Sequence, residues 1–241
     1  MSNQLIHRAI SRVVLSSLAT TAALFFVPPA MAQNPQLQER LGEIKQASAA
    51  NKQALAHYTW QEQQTISLKG EVKKTQLFQV TIGPDGQQQK TELDSSPAPQ
   101  QSGRRVKQRI VEKKTEEYQQ YGQQMAALAK QYTQPDPQKL QQAYQQGNVS
   151  LQSGGGEGEV TLIVKNYIKP NDSVTLVFNR QEKAVQSLKV NTYLNDPSDA
   201  VTISAQLAKL PDGTNHVAAT QINGVSKQLT VATQNSNYHP V

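Results

Sequence analysis

The sequence predicts an α+β fold: a large curved antiparallel sheet, a half-barrel of about nine strands, with helices packed on one face. Three observations predict it. Two long stretches carry apolar residues at three- and four-residue steps, the period of a helix with one buried stripe. Most of the remaining chain alternates apolar with polar residues, the period of a strand with one covered face. The joints between those strands are short, and short joints make antiparallel neighbours because parallel strands need long crossovers. A sheet of that size tends to curl.

Residues 1–32 are expected to be a cleavable secretory signal. Arg8 and Arg12 precede an apolar run from Val13 to Val27, and Pro28-Pro29-Ala30-Met31-Ala32 follows with small residues at its end. The run is about 15 residues long, short of the roughly 20 that cross a bilayer as a helix. Cleavage between Ala32 and Gln33 is expected to leave one mature domain, 33–241, with a helical insertion at 94–147. The expected address is the bacterial periplasm, or the medium after secretion.

The first helix is expected over 36–57, where Leu37, Leu41, Ile44, Ser48, Asn51 and Leu55 share a face. Alternation then runs from Tyr58 through Trp60 and Ile66 to Leu68, and again through Phe78, Val80 and Ile82. Gly83-Pro84-Asp85-Gly86 turns the chain back towards Leu93, completing a three-strand meander. A loop leads into a second long helix from about Val106 to Tyr132. Asp136-Pro137 resembles an N-cap with proline at the first helical position, and Gly147 stops that short third helix. Ser153-Gly154-Gly155-Gly156 reads as a flexible linker. Six strands follow, around Leu162, Leu176, Val190, Ile203, Val217 and Val231, with Asn223-Gly224 read as the last joint.

That order of elements resembles the periplasmic lipoprotein carrier and its outer-membrane receptor, which are unclosed antiparallel barrels with helices lidding a concave apolar face. Tyr58-Thr59-Trp60, Leu68-Lys69-Gly70-Glu71-Val72, Gly83-Pro84-Asp85-Gly86 and Leu210-Pro211-Asp212-Gly213-Thr214 also resemble an uncharacterised family of exported bacterial proteins. The carrier resemblance implies a lipid or a lipidated protein as partner.

Composition narrows the chemistry. There is no cysteine, which removes disulfides, thiol catalysis and sulfur-ligated zinc. The formal charge is +6, two units of it from Arg8 and Arg12 in the leader. An excess that small permits weak attraction to an anionic surface, and an exported chain is not expected to meet nucleic acid. A monomer is expected.

No H-x-x-x-H spacing, G-x-S-x-G elbow or isolated carboxylate pair occurs. Gly154-Gly155-Gly156-Glu157-Gly158 lacks the Lys-Ser/Thr of a phosphate loop and precedes a strand. No enzyme activity, cofactor or metal is expected. A Ser-His-Asp triad assembled from distant segments stays open, since geometry and not spacing defines one.

Two constellations invite binding roles. Arg104, Arg105, Lys107 and Arg109 form a basic cluster at the start of the second helix. Cations there oppose the helix dipole, and an anionic membrane surface would relieve them. Trp60, Leu68, Phe78, Val80, Tyr121, Met125 and Leu128 are the residues expected at an apolar groove between sheet and helices. The expected function is a non-enzymatic cell-envelope protein holding a lipid-like or other apolar ligand there. The alternative is an envelope interaction scaffold with no ligand cavity, in which the same stripe is core.

Overall fold

The computed structural model describes residues 35–97, 105–133 and 137–241. The expected signal, its cleavage point at Ala32 and Gln33, and Arg104 lie outside the described residues. Helix α1 (Pro35–Leu55) leads into strands β1 (Tyr58–Leu68), β2 (Glu71–Ile82) and β3 (Gln88–Pro97). Helices α2 (Arg105–Thr133) and α3 (Pro137–Gln145) follow. Seven strands complete the chain: β4 (Val149–Ser153), β5 (Glu159–Lys165), β6 (Ser173–Asn179), β7 (Ala184–Tyr193), β8 (Ala200–Lys209), β9 (Asn215–Gly224) and β10 (Leu229–Pro240).

The strands form one open antiparallel sheet in the order β3-β2-β1-β10-β9-β8-β7-β6-β5-β4. It has ten strands where about nine were expected. The extra one is β4, whose Val149 and Leu151 pair with Val164 and Leu162. The supposed linker Ser153–Gly156 is the start of a tight hairpin loop. Gly154 N–H donates to Glu159 O at 2.9 Å, and Gly156 N–H to the Glu159 carboxylate at 2.7 Å. Gly147 does stop α3: Asn148 N–H donates to Ala143 O at 2.9 Å and Gly147 N–H to Tyr144 O at 3.0 Å.

Register aligns one side of the sheet into rows. Val149, Val164, Val174, Val190, Ile203, Ile222, Val231 and Ile66 stand opposite one another in turn, an unbroken apolar line from β4 to β1. Two residues along each strand lies a parallel row: Thr192, Val201, Gly224, Leu229 and Leu68. Two residues the other way the row runs Leu151, Leu162, Leu176, Leu188 and Ala205, then turns polar at Thr220, Thr233, Gln64 and Gln76. Side chains alternate along strands, so all three rows share a face.

The helices cover that face where it is apolar. Leu37 of α1, Tyr121, Met125, Leu128, Ala129 and Tyr132 of α2, and Ala143 of α3 form one buried core with Val164, Val190, Val201, Ile203 and Leu229. Polar tethers fix α2 to three hairpin turns at one end of the sheet. Glu117 pairs with Lys227, Tyr121 donates to Asp199 at 2.7 Å, and Tyr132 donates to Asp172 at 2.6 Å.

Asp172 is the most connected of these. Its carboxylate, 2% exposed, also accepts the N–H groups of Tyr167, Ile168 and Lys169 at 2.6, 2.9 and 2.8 Å. Four charge-assisted bonds satisfy the buried charge and join the β5–β6 turn to α2. Burial, and then the Asp172 hydrogen bond, push the Tyr132 phenol well above its ordinary range.

Asp172→Ala strands three backbone donors and leaves the Tyr132 hydroxyl only its bond with Thr192 Oγ1, at 2.7 Å. The expected cost is about 3–5 kcal/mol by urea unfolding, since each buried donor left unsatisfied costs about 1–3 kcal/mol. Tyr132→Phe leaves the turn intact and is expected to cost only about 1–2 kcal/mol.

Candidate functional site

The seven residues expected at one groove divide into two groups. Tyr121, Met125 and Leu128 are core residues with 5%, 0% and 4% exposure, and Leu68 packs against them. The fit beneath α2 is close because Gly224 lies there. A Cβ on Gly224 would stand 2.5 Å from Tyr121 Cε1 and 2.7 Å from Met125 Sδ. Asn223-Gly224 is therefore the end of β9, not a joint; the turn is Val225–Gln228, and Gly224 supplies space for α2. The helical stripe of Tyr121, Met125 and Leu128 packs the sheet.

Trp60 and Val80 are also buried, but in a separate cluster near the start of β1 and the end of β10. Trp60 stacks on Tyr238 with centroids 5.3 Å apart, and His216 lies 4.3 Å from the same ring. Glu62, 5% exposed, pairs with Lys90 at 2.5 Å. Phe78 is half-buried, with the Lys90 ammonium 6.0 Å from its ring centroid. Burial, followed by the Glu62 charge, pushes the Tyr238 phenol upward. Trp60 Nε1, His216 Nδ1 and Asn235 Oδ1 have no hydrogen-bond partner among the described residues.

Among the described residues, an open cleft lies beneath α1. A cleft of about 650 Å³ separates that helix from the β6–β7 turn, Arg180–Lys183, and the β8–β9 turn around Asp212–Thr214. Phe178 and Ala184 lie on the sheet side, with Ala47, Ala50 and Ala54 on the helix. Small side chains at those positions leave the space between α1 and the strands unfilled.

Polar clasps secure both ends of the cleft. At one, Glu43 pairs with Arg180 at 3.5 Å and accepts from Arg40 at 3.0 Å. Partial burial opposes ionisation, but the two guanidiniums outweigh it and hold the Glu43 carboxyl below its ordinary range. At the other, Asn51 Nδ2 donates to Asn215 O at 2.7 Å, while Asn215 N–H donates to Asn51 Oδ1 at 2.6 Å. Asp212 accepts from the Tyr58 hydroxyl at 2.6 Å, and that bond chiefly keeps its carboxyl below the usual value.

Arg105, Lys107 and Arg109 fall in the first turns of α2. His57 and His239 are exposed. Among the described residues no group of three or more His, Cys, Asp or Glu could hold a metal ion. No helix there is long and apolar enough to cross a membrane.

No family model matches the chain, and no curated protein does. A solved structure of a DUF1329 family protein from Desulfovibrio piger is similar over 83% of this chain and 92% of its own, at 10% identity and a TM-score of 0.39. A likeness of that size carries nothing about chemistry.

Gly224→Ala is expected to force α2 off the sheet and to cost about 1–3 kcal/mol, the usual penalty of overpacking, as read by thermal or urea unfolding. Burial first, and then Asp199, push the Tyr121 phenol up to about 12 from an ordinary 10. A raised tyrosine favours the folded state while protonated, so stability is expected to fall as pH rises from about 10 to about 12. Tyr121→Phe is expected to flatten that slope in urea midpoints measured across the window.

Proposed function

We propose that this chain is a non-enzymatic, exported cell-envelope protein that binds an amphiphilic, lipid-like ligand in the cleft beneath α1. The observation that carries this reading is the cleft itself. Its volume of about 650 Å³ falls within the roughly 300–1,000 Å³ of small-molecule sites. Its lining combines Phe178 and four alanines with charged turns, which suits a molecule with one apolar and one polar part. Moving apolar area out of water contributes about 25 cal/mol per Å², before binding costs are subtracted. On this reading the open sheet curls as a half-barrel around its covered face, as the element order of the lipoprotein carriers suggests. The ligand then sits at the edge of the helical layer instead of between α2 and the sheet.

A second reading is an envelope interaction scaffold whose sheet is fully packed. The contact of Tyr121 and Met125 with Gly224 favours it, since that packing leaves no room beneath α2 at this point.

Native purification followed by mass spectrometry of organic extracts separates the two. The binding reading expects a stoichiometric amphiphile, and Ala47→Trp, which fills the cleft, is expected to abolish its recovery while thermal unfolding stays cooperative. An empty extract, together with a specific cross-linked envelope partner in intact cells, would favour the scaffold.

A further inference from the structure

We infer that the cleft beneath α1 selects ligands by an anionic headgroup, received by Lys183 and Arg180 on the β6–β7 turn. The inference rests on the cleft reading above and adds the class of ligand. It follows from which charges at the cleft are already engaged. Each acid there faces a cation or a donor: Glu43 Oε1 accepts from Arg40 and its Oε2, buried without a hydrogen bond, faces Arg180 Nε at 3.5 Å, and Glu182 pairs with Lys209 at 3.3 Å. Asp212 accepts from the Tyr58 hydroxyl and from the backbone N–H and hydroxyl of Thr214, both at 2.9 Å. A cationic ligand would have to displace one of these pairings.

The cations are less committed. Lys183 lines the cleft with no hydrogen bond or ion pair among the described residues. It stands at φ 51°, in the left-handed region where non-glycine residues are uncommon. Arg180 meets Glu43 at Nε, at 3.5 Å. A guanidinium has five N–H donors, so the rest of its fork can meet an oxyanion. Ala47, Ala50 and Ala54 of α1 give the cleft an apolar wall, while Phe178, 1% exposed, closes the bottom and offers a ligand little surface. The cleft therefore offers donors at its rim beside an apolar wall, the order of head and tail in an anionic amphiphile.

Titration calorimetry of the full mature chain with octanoate, octyl phosphate, octanol and inorganic phosphate tests this. Octanoate or octyl phosphate is expected to bind about tenfold or more tightly than octanol, the scale of a charge-assisted contact. Whichever anion binds better identifies a carboxylate or a phosphate source. Lys183→Gln is expected to bring the anions down to the octanol level and to leave octanol unchanged. It preserves the Glu43–Arg180 clasp, so loss of fold does not confuse the result. Octanol binding as tightly as both anions, or anion binding indifferent to Lys183→Gln, overturns anion selection while the apolar cleft stands. Binding of inorganic phosphate alone, equally in the Ala47→Trp protein, overturns it as well. No binding by any octyl compound removes the cleft reading and this inference together.

Discussion

The structure depends on covering one apolar face. The line from Val149 to Ile66 crosses eight adjacent strands, and each such side chain contributes about 1.5–3 kcal/mol only if it leaves water. Strand pairing cannot provide that cover, because pairing satisfies the backbone and leaves both faces open. The three helices provide it. Their positions are set by polar contacts at the margins of the sheet: α2 is tied to alternate turns at one end, α1 to turns at the other.

The cover is incomplete in a patterned way. The leucine row of β4–β7 becomes threonine and glutamine across β9, β10, β1 and β2. Thr220 and Thr233 hydrogen-bond each other there. Glutamine-rich composition is thus partly a property of this half-covered face, where amides replace aliphatic side chains once the helices no longer reach. Beyond it the face closes again over Trp60 and Val80, stacked against Tyr238 instead of against a helix.

Much of this was legible along the chain, since periodicity is local. The α1 stripe was read with Asn51 on the same face as Leu37, and Asn51 does face the sheet, at Asn215. The long alternating runs from Tyr58 and from Val160 became strands. Errors fell where a residue's role is set by distant partners. Gly224 resembles a turn residue beside Asn223, and only the approach of Tyr121 explains it. β4 is short and followed by glycines, so Val149 and Leu151 gave too little alternation to register. Asp172 lies in a turn, and its bond to Tyr132, 40 residues earlier, has no sequence signature. The cleft was illegible for a related reason, because alanines mark it by what they leave unfilled.

The strand order has a consequence for how the molecule is completed. Hairpins join every neighbouring pair from β4 to β10, and another two join β1 to β3, so both groups pair close to home. Their union rests on β10 against β1, with Val241 N–H reaching His57 O at 2.9 Å. β10 is a seam that cannot be sewn until residues 229–240 have been made, long after β1 has emerged. A chain cut short before Leu229 would carry two separate sheets, each with a raw edge where the other belongs.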